Sequence, residues 1–349
     1  MNILILLKSL LGYKGAFYQS DIIKSLQINN NVFFYGPGYK DYNTNDTAET
    51  IIQKTNVKID LIIFLHNSIQ EDKSNLFSFF PNFENINITK IYFLNKEYMN
   101  LNKKINFARE NKINYIITHH HKNKLYENMS GVKCFFMPFA VSKKYLIINY
   151  TKFKNRPIDI FSSGQIYNHQ QIKNSYYYAY NKLPLYKEFY HMTFSVPIKK
   201  KKKYFDKEIK FFPDYQGHPF YRKWLYRLKS RNLNAAKIDS NEYYEYLGSS
   251  KICFTALSSM DLVTPKIFES MMVGTLTFSN SSEIYKHPSL QLEDYLVQFK
   301  DKEDFSSKIN HYMYNPNQSQ EIIDKAHKNC IENHTWEVRI EKLMNFLYN

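Results

Sequence analysis

The chain has 349 residues, and a hydrophobic content of 44% excludes a disordered polypeptide. This length predicts two domains of ordinary size rather than one. The 47 Lys and Arg residues outnumber the 32 Asp and Glu residues, and the formal net charge is +15. Such a charge favours anionic partners such as nucleotide phosphates, anionic lipid or nucleic acid, although a residue usage rich in Lys and Asn also explains it.

The three cysteines, Cys134, Cys253 and Cys330, are odd in number and far apart. This pattern is typical of reduced thiols in a cytoplasmic protein, and no spacing predicts a zinc site. The apolar start of the chain is interrupted by Lys8 and is too short for a membrane span. We therefore expect it to form a buried first strand.

The first half of the chain alternates strands with helices. Strands predicted at Ile3–Leu7 and Val32–Tyr35 flank a helix at Phe17–Leu26, which makes one β-α-β unit with a right-handed crossover. Further patterns predict one helix, at residues 47–55, and four buried strands, at residues 61–65, 90–94, 115–118 and 134–137. Residues 1–150 are expected to form the first domain.

The second half repeats this alternation. Strands are predicted at residues 158–161, 189–196 and 251–255, and helices at residues 170–182, toward the end of 218–228, at 305–314 and at 319–329. The second domain is expected to span residues 151–332, with an amphipathic helix within residues 333–349. Two doubly wound α/β domains should bind a ligand in the cleft between them, beyond the carboxyl ends of the strands.

A run of five lysines, Lys199–Lys203, stands out in the second half. It predicts a solvated, self-repelling loop, and the alternative is a contact with an anionic membrane surface.

Residues 264–279 have the pattern of a helix followed by a strand. Thr264 suits the N-cap position, where its hydroxyl would accept a hydrogen bond from a first-turn amide, and Pro265 suits the first helical position. Gly274 is placed to end the helix in a left-handed conformation. The sequence therefore predicts a helix over residues 265–273.

The start of this helix has residue types that suit a nucleotide. Its amides and partial positive charge suit a phosphate, and Lys266 adds a full charge. Glu269, one turn further along, is an acceptor for sugar hydroxyls. An ordinary scaffold helix with a solvated Lys and Glu is the alternative.

The sequence around this helix resembles a known family. Ser-Ser-Lys-Ile-Cys-Phe at 249–254 and Pro-Lys-Ile-Phe-Glu-Ser-Met-Met-Val-Gly-Thr-Leu-Thr-Phe at 265–278 resemble the donor-binding signature of GT-B glycosyltransferases. The likeness is to the CgeB-like (spore-maturation-like) group within glycosyltransferase group 1. Gly-Pro-Gly-Tyr at 36–39, Pro-Phe-Ala at 138–140 and His-Thr-Trp-Glu-Val-Arg at 334–339 are also similar to that superfamily.

The resemblance implies the GT-B fold, in which two doubly wound Rossmann-like domains face each other across a cleft. It assigns the acceptor to residues 1–150 and the nucleotide-sugar donor to residues 151–332, while the helix of residues 333–349 crosses back to the first domain. It also implies transfer of a sugar from a UDP- or GDP-sugar to an acceptor hydroxyl. Neither a tightly bound cofactor nor a metal ion is expected.

The resemblance also implies roles for single residues. Asp261 and Glu269 have the acid-x7-Glu spacing of many retaining members, with Asp in place of the usual first Glu. Asp261 would contact the donor sugar and Glu269 the ribose. The diphosphate would be bound by Thr264, Pro265 and Lys266 at the helix start, and by Gly164 and Lys173 after strand 158–161.

Histidines supply the candidates for the remaining chemistry. His66, at the end of a first-domain strand, is placed to act on the acceptor hydroxyl. His119–His121 are also expected near the cleft, but three consecutive residues on a strand cannot all face one metal ion. The predicted catalytic residues are therefore His66, Asp261 and Glu269.

The acceptor and two other function classes stay open at this point. The acceptor could be a glycan, a lipid-linked molecule, a protein or a small molecule. A non-catalytic relative that only binds a nucleotide or sugar is one alternative, since Asp261 departs from the family pattern. A basic nucleic-acid-binding protein is the other, although no helix-turn-helix, zinc-finger or RNA-recognition signature supports it.

Overall fold

The computed structural model describes residues 1–9, 17–65, 79–97, 100–147, 149–162, 194–195, 240–257 and 261–348. The chain divides into two compact units. Unit 1 consists of Met1–Ser142 together with His334–Asn349, and unit 2 consists of Lys143–Asn333.

Unit 1 is built on a parallel sheet with the strand order β2-β1-β3-β4-β5-β6. Its strands are β1 (Asn2–Leu6), β2 (Asn31–Tyr35), β3 (Leu61–Leu65), β4 (Thr89–Leu94), β5 (Tyr115–Thr118) and β6 (Lys133–Phe136). All of them were predicted from apolar runs, and the side chains of β1 and β3 alternate between two cores because both faces of a parallel sheet are covered.

Helices of unit 1 supply the other half of each core. One face of the sheet is covered by α2 (Ala48–Gln53), α3 (Leu101–Glu110) and α4 (Asn123–Ser130). The opposite face is covered by α1 (Phe17–Gln27) and by the last helix, α9 (Trp336–Tyr348). The segment before α9 is joined to this unit by backbone hydrogen bonds in which Val141 N donates to His334 O and Trp336 N donates to Val141 O, both at 3.1 Å.

Unit 2 contains a second parallel sheet with the order β11-β10-β9-β7-β8. Its strands are β7 (Ile158–Phe161), β8 (Phe194–Ser195), β9 (Ser250–Phe254), β10 (Leu276–Asn280) and β11 (Val297–Phe299). Its helices are α5 (Ser240–Gly248), α6 (Pro265–Met272), α7 (Lys302–Tyr314) and α8 (Pro316–Asn333). The predicted helices at 170–182 and 218–228 and the run Lys199–Lys203 lie outside the described residues.

A buried arginine ties together the strands that precede and follow α6. The guanidinium of Arg156 is 2% exposed and donates to Ser250 O, Gly274 O and Thr275 Oγ1 at 2.6–2.8 Å. Burial lowers the pKa of Arg156 to about 10, so the group stays charged at neutral pH. Oxygen acceptors around this cation offset the cost of its burial.

Gly274 ends α6 as predicted, with a φ of +68°. A Cβ at this position would lie 2.6 Å from the ring of Tyr150, whose hydroxyl is hydrogen-bonded to Asp324 of α8. Gly131 has a nearly identical φ of +69°, but apart from its chain neighbours no atom of the described residues lies within 4 Å of its hypothetical Cβ.

His119 belongs to an aromatic cluster in unit 1. Its ring is 5% exposed, stacks on Phe139 at 4.2 Å and meets Tyr18 and Trp336 edge-on. Nδ1 lies 2.7 Å from Met137 O, and because a carbonyl only accepts, Nδ1 bears the proton. Burial lowers the pKa of His119 to about 4, and the nearby Arg339 acts in the same direction.

The two glycines give a matched test of packing around α6. We expect Gly131→Ala to lower the free energy of unfolding by about 1–2 kcal/mol, the cost of a left-handed L-residue. Gly274→Ala should cost about 1–3 kcal/mol more, because Tyr150 must also move. Urea unfolding of the two variants measures the difference. Equal losses of unfolding free energy would show that the Tyr150 ring moves aside without cost.

The buried imidazole predicts acid sensitivity of unit 1. The pKa of His119 in the folded chain is below its unfolded value of about 6.5, so the unfolded state binds more protons as the pH falls toward 4, and stability is lost across that window. His119→Phe should reduce the pH slope of unfolding free energy there by up to about 1.4 kcal/mol per pH unit. Urea unfolding at pH 4.5–7 checks this, and an unchanged slope would contradict it.

Candidate functional site

Helix α6 follows β9 after the connecting residues 255–264 and leads back into the adjacent parallel strand β10. Thr264 occupies the N-cap position with extended backbone angles, and Pro265 occupies the first helical position, as predicted. The buried face of the helix, which includes Phe268 and Met271, packs against unit 2 and is backed by α8. Ligands of open α/β folds bind outside the carboxyl ends of the strands, which is where this helix starts.

The Thr264 hydroxyl does not cap the helix, and that part of the prediction is wrong. The third helical amide, Ile267 N, donates to the backbone oxygen of Thr264 at 3.2 Å instead of to its side chain. Thr264 Oγ1 is buried and has no hydrogen-bond partner in the described part of the chain. An unsatisfied buried hydroxyl costs about 1–3 kcal/mol, so a water molecule or ligand oxygen at this place would be stabilising.

Lys266 and Glu269 lie three residues apart on α6 and therefore on adjacent turns. Both side chains are partly buried. Burial lowers the pKa of Lys266, and attraction to the Glu269 carboxylate opposes that shift. The site thus holds a partly desolvated cation whose charge is maintained by a neighbouring anion.

Tyr243 of α5 is a member of this site that sequence reasoning missed. Its hydroxyl donates to Glu269 Oε2 at 2.7 Å, and its ring packs on the cluster that contains Phe161 and Leu247. Burial and the Glu269 charge raise the pKa of Tyr243 well above its usual value, so the phenol stays protonated. The two residues are 26 positions apart on different helices, and no motif of the sequence connects them.

Asp261 stands just before α6 with an exposed side chain and a φ of +57°. Its negative charge, together with burial as the larger cause, raises the pKa of Tyr285. The Tyr285 hydroxyl donates to Ser279 Oγ at 2.7 Å near the end of β10. Asp261 therefore acts electrostatically on a tyrosine that is bonded near the carboxyl end of β10, whereas Glu269 is hydrogen-bonded to α5.

The other residues predicted from the sequence are His66, Gly164, Lys173 and the three histidines at 119–121. His66, Gly164 and Lys173 lie outside the described residues. The rings of His120 and His121 stack on each other at 4.6 Å, while His119 faces the aromatic cluster around Trp336.

The described ranges contain neither a metal-binding cluster nor a helix that could span a membrane. Within them, no group of three or more His, Cys, Asp and Glu residues is arranged to hold a metal ion. None of the helices described above combines the length and the apolar character needed to cross a membrane.

Part of the chain matches a known protein family. Residues 204–345, which include α5 and α6, match the model of a family described as glycosyl transferase-like. The matched segment contains Tyr243, Thr264, Lys266 and Glu269. No curated protein sequence matches the chain.

Solved structures share the fold over nearly the whole chain at low sequence identity. A glycosyltransferase from Rickettsia africae ESF-5 is 12% identical with a TM-score of 0.60, covering 99% of this chain and 97% of its own. Anabaena Alr3699/HepE in complex with UDP and glucose is 12% identical with a TM-score of 0.58, covering 99% of both chains.

An α-glucosyltransferase in complex with UDP and a 13-mer DNA is 11% identical with a TM-score of 0.61, covering 100% of both chains. These similarities and the two parallel sheets confirm the predicted fold class. The chain has the GT-B fold of doubly wound α/β units, and residues 204–345 are similar to the glycosyl transferase-like family.

Proposed function

We propose that the chain is a glycosyltransferase that moves a sugar from a nucleoside-diphosphate donor to an acceptor hydroxyl. The observation that carries the proposal is the start of α6, where Lys266 and Glu269 follow the carboxyl end of β9 inside the segment that matches the glycosyl transferase-like family. Two proteins of similar fold were solved with UDP, one with glucose and the other with DNA, which supports a nucleotide-sugar donor.

The diphosphate needs positive charge when the bond to the sugar breaks, because the leaving group then gains negative charge. Lys266 supplies a full charge, and the start of α6 supplies the partial charge of the helix dipole. The buried Thr264 hydroxyl is a donor for a phosphate oxygen. We propose that Gly164 and Lys173 bind the same diphosphate.

The hydroxyls of the donor need acceptors in fixed positions. Glu269, with one oxygen hydrogen-bonded to Tyr243, is the proposed acceptor for the ribose hydroxyls. Asp261 is the proposed contact of the donor sugar, and its exposed side chain is available to a ligand. His66 is the proposed residue for the acceptor hydroxyl.

Finer features of the proposal rest on the sequence. The acid-x7-Glu spacing of Asp261 and Glu269 favours a retaining reaction, and the positive groups of α6 favour one without a metal ion. We propose a UDP- or GDP-sugar donor without a tightly bound cofactor, and a place in the CgeB-like group. Residues 1–150 are the proposed acceptor domain and 151–332 the proposed donor domain.

The acceptor and the cellular setting are also proposals. A glycan, a lipid-linked molecule or a protein would each offer the hydroxyl that the reaction requires. We propose a cytoplasmic protein, with Lys199–Lys203 as the contact if it attaches to an anionic membrane surface.

Thermal unfolding with a panel of UDP, GDP, ADP, CMP and TDP, in the presence of EDTA, tests the donor class. One nucleotide at a hundredfold its Kd should stabilise the folded chain by about 2.7 kcal/mol. Glu269→Ala should abolish the shift, whereas Glu283→Ala, which removes an exposed carboxylate of the same unit, should retain it. A chain that no nucleotide stabilises would contradict the proposed function.

Lys266 gives a second test, directed at the phosphates. Lys266→Met should weaken the binding of the nucleoside diphosphate by about tenfold or more, because a charge-assisted contact is lost. It should not weaken the binding of the corresponding nucleoside. Lys286→Met, at an exposed lysine of unit 2, is the control. Titration calorimetry measures both ligands, and equal losses for nucleoside and diphosphate would contradict a phosphate contact.

A further inference from the structure

Tyr243 is a polar group that the proposed reaction does not itself require. Its ring lies 5.8 Å from the Phe161 ring and packs against the apolar cluster that Phe161 forms with Leu247, Cys253 and Val273. Its hydroxyl reaches out of this cluster to Glu269 Oε2 at 2.7 Å. The tyrosine is thus anchored on one side and bonded to the carboxylate on the other.

The bond has a fixed direction of donation. Burial, the charge of Glu269 and the bond itself all raise the pKa of Tyr243, so the phenol keeps its proton and donates. A carboxylate offers about four acceptor positions, and the phenol takes one of them on Oε2. The bond therefore restricts the rotation of the carboxylate and, with it, the directions of its other lone pairs.

A ribose places two demands on such a carboxylate. Its neighbouring 2′ and 3′ hydroxyls are donors in a fixed relation to each other, and they are recognised well only by an acceptor whose own orientation is fixed. A site built to hydrogen-bond a hydroxyl also rejects an analogue that lacks it, because a buried group is then left unpaired. The anchored Tyr243 supplies the orientation that both effects need.

We propose that Tyr243 is a positioning residue that orients Glu269 toward the ribose hydroxyls and thereby makes the site selective for ribonucleotides over deoxyribonucleotides. This inference rests on the proposed function. It adds a residue of α5 to the described part of the site, which is otherwise formed by α6 and the segment before it.

The test removes one oxygen from the protein and one from the ligand. Tyr243→Phe keeps the ring in the apolar cluster and deletes the bond to Glu269. Tyr246→Phe deletes a hydroxyl from the same helix, next to the same cluster, and is the matched control. Titration calorimetry compares UDP and GDP with their 2′-deoxy and 3′-deoxy forms on the unmodified chain and on both variants.

Tyr243→Phe should weaken binding of the preferred ribonucleotide by about tenfold, since a hydrogen bond to a charged group is lost. Binding of the deoxy form that lacks the contacted hydroxyl should change by less than about twofold, so the two changes are strongly coupled. The Tyr246→Phe chain should bind every ligand as the unmodified chain does.

Other outcomes separate the two proposals. If Tyr243→Phe weakens the ribonucleotide and both deoxy forms equally, the bond only supports the fold, and the inference is wrong while the proposed function stands. If Tyr243→Phe leaves ribonucleotide binding unchanged, the inference is likewise wrong and the proposed function stands. If the unmodified chain binds neither UDP nor GDP, the proposed UDP- or GDP-sugar donor and the inference are both wrong.

Discussion

The buried Arg156 guanidinium is the interaction on which the geometry of unit 2 depends. It donates to Ser250 O at the start of β9 and to Gly274 O and Thr275 Oγ1 just before β10, so one side chain fixes the amino ends of both strands. Because β9 and β10 are parallel neighbours, fixing their starts also fixes the edge at which they finish. Helix α6 begins at that edge of the sheet and ends at Gly274. The position of its first turn therefore depends on the bonds that Arg156 makes.

Packing behind α6 adds a second restraint. His327 Nδ1 of α8 lies 3.1 Å from Met271 O, and the Cys330 thiol donates to Phe268 O at 3.4 Å. Phe268, Met271 and Met272 are fully buried against the rest of unit 2. A helix held along its length in this way presents its first-turn groups in one orientation, which is the preorganisation that binding and catalysis exploit. The packing that stabilises unit 2 therefore also positions the candidate site.

The strands were predictable because buried parallel strands are continuous apolar runs, and those runs appear in the sequence at β1, β3 and β5. The bounds of α6 were predictable because Pro265 and Gly274 have strong positional preferences. Helices α3 and α4 were missed because they are rich in Lys and Asn, and only a narrow apolar stripe of each contacts the core. Their stability comes from tertiary packing, which local sequence does not display.

The candidate site shows the same limit more sharply. Lys266 and Glu269 could be selected because they occupy one short helix, where spacing alone decides which side chains are neighbours. The Tyr243–Glu269 bond could not be predicted from the sequence, because it joins two helices through a contact that only the packing of α5 on α6 creates. The Thr264 cap failed for a local reason, since the backbone carbonyl of the same residue already accepts from Ile267 N. The N-cap preference of threonine thus predicted the position of Thr264 correctly. Whether its hydroxyl caps the helix depends on which oxygen accepts the first-turn hydrogen bond.

Glu269 interacts with the Tyr243 phenol through a hydrogen bond and with the Lys266 ammonium through electrostatic attraction. Without a ligand, the carboxylate supports the charge of Lys266, whose pKa would otherwise fall further as a result of burial. A diphosphate bound at the helix start would stabilise the same ammonium, because it carries a larger negative charge than one carboxylate. Glu269 would then no longer be needed to stabilise the Lys266 ammonium, while its bond to Tyr243 would still restrict its orientation. Phosphate and ribose recognition on α6 are therefore expected to reinforce each other through one carboxylate.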